Sequence, residues 1–237
     1  MKKLVMLLTL AALCSVEAAP NSRKDRAAKG ARSVASPQAG LVRVDQFPKL
    51  GSRGTMQSPS LEGQSTIGNN VYQKSARRKW IVLEAKYSTF DVWTDQLSFT
   101  WHVLLDSKFR TEKDAVEDIP QYSYYTVTVN YQNIPKGTHA ASVCLPPACL
   151  ERFGEPKAVG LVISDKDGKQ VYGDVESEIK GIAHHPDAPE KFFWNDRNIM
   201  EHDDDQGRRL IEQRQGLQDR SKTIWALVNP NDYEQVM

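Results

Sequence analysis

The stretch that decides the fold is YSYYTVTVNYQNIPKGTHAASVCLPPACLERF, which runs from Tyr122 to Phe153. Its first limb, residues 122–131, alternates aromatic and β-branched side chains in the pattern of a half-buried strand. The tripeptide Pro135-Lys136-Gly137 predicts a turn, and residues 139–145 predict a return strand that two prolines end. The stretch contains no nucleophile, phosphate-binding loop or metal motif, so it predicts a structural β-hairpin.

Similar alternation of apolar and polar side chains marks the rest of the second half of the chain. Further strands are predicted at residues 80–87, 96–106, 157–164, 169–175 and 222–229. A short connection that contains Asp95 joins the first two of these, and Asp165-Lys166-Asp167-Gly168 closes a hairpin between the next two. About one turn of helix precedes Gly154. Many strands with few short helices predict a mainly β protein, an antiparallel immunoglobulin-like β-sandwich.

The N-terminus has the three-part order of a secretory signal peptide. Basic residues at positions 2 and 3 precede an apolar run over residues 4–13 and the small-residue site Val16-Glu17-Ala18. We expect cleavage after Ala18, which makes residues 1–18 a signal peptide. A lipid anchor on Cys14 is the alternative, but Leu13 is a large residue for such a site. The mature chain is therefore predicted to have no transmembrane segment and to be exported to the periplasm, the outer membrane or the extracellular space.

Residues 19–76 differ in composition from the C-terminal part of the chain, and they predict a flexible basic arm before a domain at residues 77–237. Residues 19–78 carry eleven Lys or Arg against three Asp or Glu, whereas the whole chain has a net charge of only +1. The arm is poor in apolar residues, which indicates a tether. Alternatively it contacts an acidic glycan or another acidic partner, while export argues against nucleic acid. One apolar cluster, residues 41–50, is a candidate to extend a partner's sheet edge.

Two cysteines remain after signal cleavage, and export decides how they are interpreted. Cys144 and Cys149 are an even pair in an oxidising compartment, so the sequence predicts a disulfide between them. It would close a very short loop and contribute on the order of 2 kcal/mol. A zinc site is the alternative, but His139 is the one histidine near them and the spacing matches no zinc motif.

The loop-rich segment at residues 176–207 holds the candidate chemistry of the chain. His184, His185, Asp187 and His202 are residue types that bind metals, although Pro186 prevents the helical spacing that such sites often use. The predicted ligand contacts are the aromatic residues Trp93, Phe192 and Trp194. For the Phe192-Phe193-Trp194 run, a plug that closes one end of the core is the competing interpretation. No cofactor is predicted.

Four motifs resemble a group of exported, immunoglobulin-like envelope proteins of mucin-associated gut bacteria that are encoded with pilus-assembly components. They are W-x-x-L-E-A-x-Y-S-T from Trp80, L-S-F-T-W-H-V-L-L from Leu97, I-P-K-G-T-H-A-A-S-V from Ile134 and L-E-R-F-G-E-P from Leu150. The resemblance covers about two thirds of the chain and implies a type IV pilus-related or envelope-associated binding protein. A pilin carries a long hydrophobic N-terminal helix, whereas the apolar run here is short.

The sequence supports three functions, in order of preference. The first is a non-enzymatic binding or structural protein of the cell envelope, associated with a pilus-like assembly and its protein components. The second is a module that binds mucin glycans through exposed aromatic rings. The third is a hydrolase, for which the sequence offers no G-x-S-x-G motif and no pattern that selects two carboxylates from many. The sequence therefore predicts that the protein is not an enzyme.

Overall fold

The computed structural model describes residues 41–50, 54–58, 62–64, 72–74, 77–107, 120–179, 182, 192–203, 207, 209–226 and 234–236. All of these lie in one compact unit, Ser33–Met237. The strands are β1 (Val42–Gln46), β2 (Gly54–Gln57), β3 (Glu62–Gln64), β4 (Tyr72–Lys74), β5 (Lys79–Asp106), β6 (Tyr122–Leu145), β7 (Glu155–Asp165), β8 (Gln170–Ser177), β9 (Ile211–Arg214), β10 (Gln218–Asp219) and β11 (Glu234–Val236). The helices are α1 (Pro147–Phe153) and α2 (Arg197–Met200), with a 3-10 turn at Arg220–Lys222.

The two long strands β5 and β6 organise the fold. They pair antiparallel from Ile81 opposite Leu145 to Asp106 opposite Tyr122. The predicted turn at residues 135–137 is therefore wrong, because the chain continues through it as one strand. The predicted strands 80–87 and 96–106 are likewise one strand. Local sequence does not distinguish these cases, since proline and glycine also occur where a strand bends or bulges.

β5 folds back on itself between its two halves. The rings of Tyr87 and Phe99 have centroids 4.8 Å apart, although twelve positions separate them along one strand. A straight strand would place them roughly 40 Å apart, at about 3.3 Å per residue. The same face of both halves therefore encloses one core, and we call this the inner face.

The inner face is built from alternate residues of the central strands, as the pattern of burial requires. Its buried side chains include Ile81, Leu83, Ala85, Tyr87, Leu97, Phe99, Trp101, Val103, Leu105, Tyr125, Val129, Tyr131, Val159, Leu161 and Ile163. A smaller cluster on the opposite, outer face contains Leu104, Tyr124, Ala158, Val175, Phe192, Phe193 and Ile211. The sheet is thus covered on both faces near the start of β6 and the end of β5.

The described strands form one mixed nine-stranded sheet and a separate pair, β3 with β4. The central order is β10-β6-β5-β7-β8, and β9 lies parallel to β6 while the other pairings are antiparallel. The mainly β prediction is confirmed, but the sheet is not purely antiparallel. The immunoglobulin-like sandwich stays a prediction. In the described part of the chain, no helix has the length and apolar character needed to cross a bilayer.

Part of the predicted arm belongs to this sheet. β1 and β2 both pair with β5, and Val42 and Leu50 are buried in the inner-face core. The two strands are held differently: β1 buries Val42 in the core, whereas β2 is mostly exposed and is held by its backbone pairing with β5. The apolar cluster at residues 41–50 extends the edge of its own sheet and not that of a partner.

Other local predictions have mixed outcomes. The hairpin at Asp165 is confirmed, with the Asp165 carboxylate accepting the backbone N–H of Asp167 at 3.0 Å and of Lys169 at 2.9 Å. The helical turn that ends at Gly154 is also confirmed. The last strand is wrong over residues 222–226, where the Thr223 hydroxyl donates to the Arg220 carbonyl and holds a turn. Residues 227–229 lie outside the described part of the chain.

Candidate functional site

A row of four stacked rings crosses the outer face of the sheet, and we call it the ring row. His102 of β5 stacks on Trp194 with centroids 3.9 Å and planes 3° apart, and on Tyr124 of β6 with centroids 6.1 Å and planes 8° apart. Phe192 stacks on Trp194 with centroids 4.7 Å apart. Neighbouring strands lie about 4.8 Å apart, so side chains standing on adjacent strands stack naturally.

Two glycines make room for the rings that come from outside the sheet. A Cβ atom at Gly160 of β7 would lie 2.1 Å from the Trp194 indole, and one at Gly173 of β8 would lie 3.0 Å from the Phe192 ring. The four rings therefore follow the order of four neighbouring strands. Phe192 lies over β8 and Trp194 lies over β7, while His102 belongs to β5 and Tyr124 to β6. Glycines inside a strand pattern often mark such a close approach, and this signal was present in the sequence.

The ring row keeps His102 uncharged. Burial lowers the pKa of His102 from its ordinary value of 6.5 to about 3. Its Nδ1 atom lies 2.6 Å from the Tyr124 hydroxyl in a buried hydrogen bond, and burial raises the pKa of Tyr124. A histidine that is neutral throughout the physiological range and packed between rings stabilises the fold, and it is poorly suited to bind or transfer a proton at neutral pH.

The three predicted aromatic contacts lie in different environments. Phe192 is buried, so the plug interpretation describes it and it offers no surface to a ligand. Trp194 lies in the ring row between His102 and Phe192, so both faces of its indole are occupied. Trp93 is 63% exposed. Among the predicted contacts, Trp93 is therefore the side chain with a ring face available for binding.

Trp93 belongs to an exposed apolar surface at the bend of β5. Phe90 is 42% exposed and Val92 is 74% exposed, and we call these two residues with Trp93 the bend surface. The β5–β6 register places Thr89 opposite Gly137 and Trp93 opposite Pro135, so residues 90–92 face the single residue Lys136. The extra residues protrude, as in a bulge. The Arg43 guanidinium lies 5.5 Å from the centre of the Phe90 ring.

Hydrogen bonds beneath the bend surface hold it in place. The Thr89 hydroxyl donates to the Pro135 carbonyl at 2.7 Å and accepts the Gly137 N–H at 3.2 Å. The His139 ring also contacts the Pro135 carbonyl, with Nε2 at 2.8 Å. These bonds fix the base of the protrusion, at Thr89 and Pro135, to both strands.

An apolar pocket of about 400 Å3 opens on the outer face beside α2. Its aliphatic walls are Ile179, Ile182, Ile199, Leu210 and Ile211. Tyr122 also lines it, and the exposed side chains of Asn198 and His202 lie at its rim. Pockets of this size and composition are the usual sites for small ligands.

The predicted metal residues are only partly described. His184, His185 and Asp187 lie outside the described residues, and His202 lies at the rim of the apolar pocket. Within the described ranges, no group of three or more His, Cys, Asp or Glu side chains is placed to hold a metal ion. The metal site stays a prediction.

The cysteines are free thiols in the structure, so the predicted disulfide is not formed. Val143 and Leu145 point into the inner-face core, and strand alternation directs Cys144 to the opposite face. Cys149 of α1 lies in that core, against Gly216 and Tyr125. Burial raises the pKa of Cys144 to about 11 and raises that of Cys149, so both thiols are protonated and unreactive at neutral pH.

This arrangement makes a direct prediction. We expect two free thiols per molecule when the chain lacking residues 1–18 is purified without reductant, unfolded and alkylated. The native protein should react far more slowly, because both side chains are buried. Mass spectrometry of the alkylated chain measures this. If instead no alkylation occurs and the mass is two hydrogens lower, the two cysteines form a disulfide. That result would mean that α1 moves so that Cys149 reaches the face of Cys144.

Comparison with known proteins places the chain among relatives. A protein-family model matches residues 49–229, well over half of the chain. The chain belongs to that family. Among solved structures it is similar to a crystal structure from Akkermansia muciniphila, a mucin-associated gut bacterium, with a TM-score of 0.54 and 18% sequence identity. That match covers 83% of this chain and 93% of the other. No curated protein is similar enough in sequence to count as a match.

The comparison supports the coarse part of the resemblance seen in the sequence. The related structure comes from a mucin-associated gut bacterium, as the motifs implied, and at 18% identity it shows a shared fold alone. The link to pilus assembly and the immunoglobulin-like character stay predictions. Among the described residues, the bend surface and the apolar pocket both present apolar side chains for binding.

Proposed function

We propose that this chain is an exported, non-enzymatic protein of the bacterial cell envelope that binds a protein partner of a pilus-like assembly. The observation that carries the proposal is the bend surface, where Phe90, Val92 and Trp93 are all exposed. Single exposed apolar residues are ordinary on protein surfaces, but a contiguous group with two aromatic rings is typical of binding sites. Aromatic side chains are enriched at the centres of protein interfaces and dominate their binding energy.

The base of the bend surface is held by hydrogen bonds. Thr89 and His139 both contact the Pro135 carbonyl, so the backbone on either side of the protruding residues is fixed to β6 before any partner arrives. A protruding group of aromatic and aliphatic side chains fits a concave apolar site on a protein partner, where such side chains are commonly buried. The signal-like N-terminus supports export, and so the proposed location is the periplasm or the outer surface of the cell.

Replacing the bend surface should abolish partner binding without unfolding the protein. We expect the triple variant Phe90→Ser, Val92→Ser, Trp93→Ser to bind its partner about 30-fold or more weakly, because loss of an interface aromatic alone often costs about 2 kcal/mol or more. Its thermal midpoint should change little, since exposed side chains contribute little to stability. A photo-crosslinking side chain introduced in place of Val92, in living cells, identifies the partner, and purified components then give the affinity.

The matched control is position 224, because Ile224 is also an exposed apolar side chain, 51% accessible, and lies outside the bend surface. Crosslinks from position 92 to an envelope protein, absent from position 224 and lost in the triple variant, are the expected result. Equal affinity of the triple variant and the wild-type protein would contradict the proposal. A concentration-dependent dimer that the triple variant abolishes would instead assign the bend surface to a second copy of this chain.

Carbohydrate binding is the second candidate, and the exposure of Trp93 favours it. A free indole face can stack on a sugar ring, whereas Trp194 has no such face available. The two candidates differ in what they require of neighbouring residues. A glycan site should lose binding on Trp93→Ala and tolerate Val92→Ala, while a protein interface should be weakened by both. A glycan array with these two variants distinguishes them.

A further inference from the structure

The apolar pocket beside α2 has an open wall of aliphatic side chains that nothing in the bend-surface proposal uses. Ile179, Ile182, Ile199 and Leu210 are only partly buried and lie against the outer-face core. Apolar area left in contact with water costs free energy in proportion to its size, and a ligand that covers it recovers that free energy. The aliphatic walls favour a hydrocarbon ligand over a sugar, because they offer no hydrogen-bond partners for hydroxyl groups.

We propose that this pocket binds one saturated acyl chain, supplied by a fatty acid or by a monoacyl lipid. Its volume of about 400 Å3 is suited to this ligand. An apolar cavity of about 150 Å3 in another protein holds benzene, which has six carbons, so by volume this pocket accommodates a chain of at most about sixteen carbons. The inference is independent of the proposed partner at the bend surface.

The polar groups of the pocket lie where the head group of such a ligand would emerge. Asn198 and His202 are exposed at the rim, and their amide and imidazole groups can hydrogen-bond a carboxylate or an ester. Arg197 is paired with Glu201, with Nε and Oε2 3.0 Å apart, so this nearby charge is already compensated. The rim therefore accepts either an acidic or a neutral head group.

Backbone hydrogen bonds hold the walls of the pocket before a ligand enters. The Tyr122 N–H donates to the Leu210 carbonyl at 2.8 Å, and the Leu210 N–H donates to the His202 carbonyl at 3.0 Å. The Asp196 carboxylate accepts the Asn198 N–H at 2.9 Å at the start of α2. Ile179 is held by Ser177, whose hydroxyl accepts the Ile179 N–H at 3.0 Å. A preformed apolar pocket loses little entropy on binding.

Titration calorimetry with the full-length mature chain tests the proposal. The probes are octanoate, decanoate, dodecanoate and hexadecanoate, each below its micelle concentration, and monododecanoylglycerol. Each added methylene should raise the affinity about fourfold, the equivalent of about 0.8 kcal/mol, until the pocket is full between about twelve and sixteen carbons. Binding of the acid alone indicates a free fatty acid, and binding of the glyceride, with or without the acid, indicates a lipid source.

The variants are chosen so that folding and binding are separated. Ile199→Glu places a charge in the wall and should weaken dodecanoate binding at least tenfold, and Ile182→Trp should do the same by filling the space. Ile224→Glu, at an exposed isoleucine outside the pocket, should bind like the wild-type protein. If Ile199→Glu fails to fold, Ile182→Trp and the chain-length series still decide. No saturable binding, no plateau with chain length, or equal losses in the pocket and control variants would overturn the proposal.

Discussion

Gly160→Ala should expel the Trp194 indole from the ring row and lower the free energy of unfolding by roughly 3 kcal/mol. The new Cβ would lie 2.1 Å from one indole carbon and 2.5 Å from another, closer than any real contact. The indole is a rigid ring between His102 and Phe192, so it cannot shift by a small rotation. Truncating a fully buried aromatic side chain costs about 3–5 kcal/mol, and Trp194 is partly buried, so the low end of this range applies. Urea unfolding measures the loss.

A double-mutant cycle with Trp194→Ala supplies the control. Once the indole is gone, Gly160→Ala meets no ring, and alanine is favoured over glycine inside a strand by about 0.5–1 kcal/mol. The substitution should therefore destabilise the wild-type protein and stabilise the Trp194→Ala variant. The two single losses should not add, because both remove the same contact. Additive losses, or a Gly160→Ala protein as stable as the wild type, would show that Trp194 does not pack on Gly160.

The central strands of this protein could be predicted from the sequence, and so could the hairpin at Asp165, but the continuity of β5 and of β6 could not. Alternation of apolar and polar residues located both halves of β5 and both limbs of β6, because each face of a strand has its own environment. Pro135 and Gly137 suggested a turn because they permit one locally. Whether the chain turns there depends on what lies opposite, and the opposite residues are the bulge at Phe90 to Val92, more than forty positions away.

The candidate sites were predictable only in part, for the same reason. Trp93, Phe192 and Trp194 look alike in the sequence, yet one is exposed, one is buried and one is held between two rings. The places of Phe192 and Trp194 depend on Gly173 and Gly160, which lie about 20 and 34 positions away, and the exposure of Trp93 depends on the bend of β5, which pairing with β6 produces. The apolar pocket was not anticipated at all, because its aliphatic walls come from three separate segments that each contribute only one or two residues.

The stability of the protein should fall between pH 6.5 and pH 3 because of His102. Its pKa is about 3 when folded and 6.5 in an exposed histidine, so the unfolded chain binds more protons throughout this window. Stability therefore rises with pH in the window and is lost as the pH falls through it. One proton corresponds to a slope of about 1.4 kcal/mol per pH unit, or about 2 kcal/mol between pH 6 and pH 4.5.

His102→Phe isolates this contribution, because phenylalanine can occupy the same place between Trp194 and Tyr124 and does not titrate. The unfolding free energy of His102→Phe should therefore change much less with pH between pH 6.5 and pH 4.5 than that of the wild type. The carboxylates that titrate at lower pH are the same in both proteins, so they contribute equally to both profiles. Tyr124→Phe is the matched control, which removes the hydrogen bond to Nδ1 and leaves the buried imidazole in place. It should lower stability by about 1 kcal/mol at every pH and retain the slope, because burial and not the hydroxyl lowers the pKa of His102. Parallel pH profiles for the wild type and His102→Phe would contradict a buried, neutral histidine in the ring row.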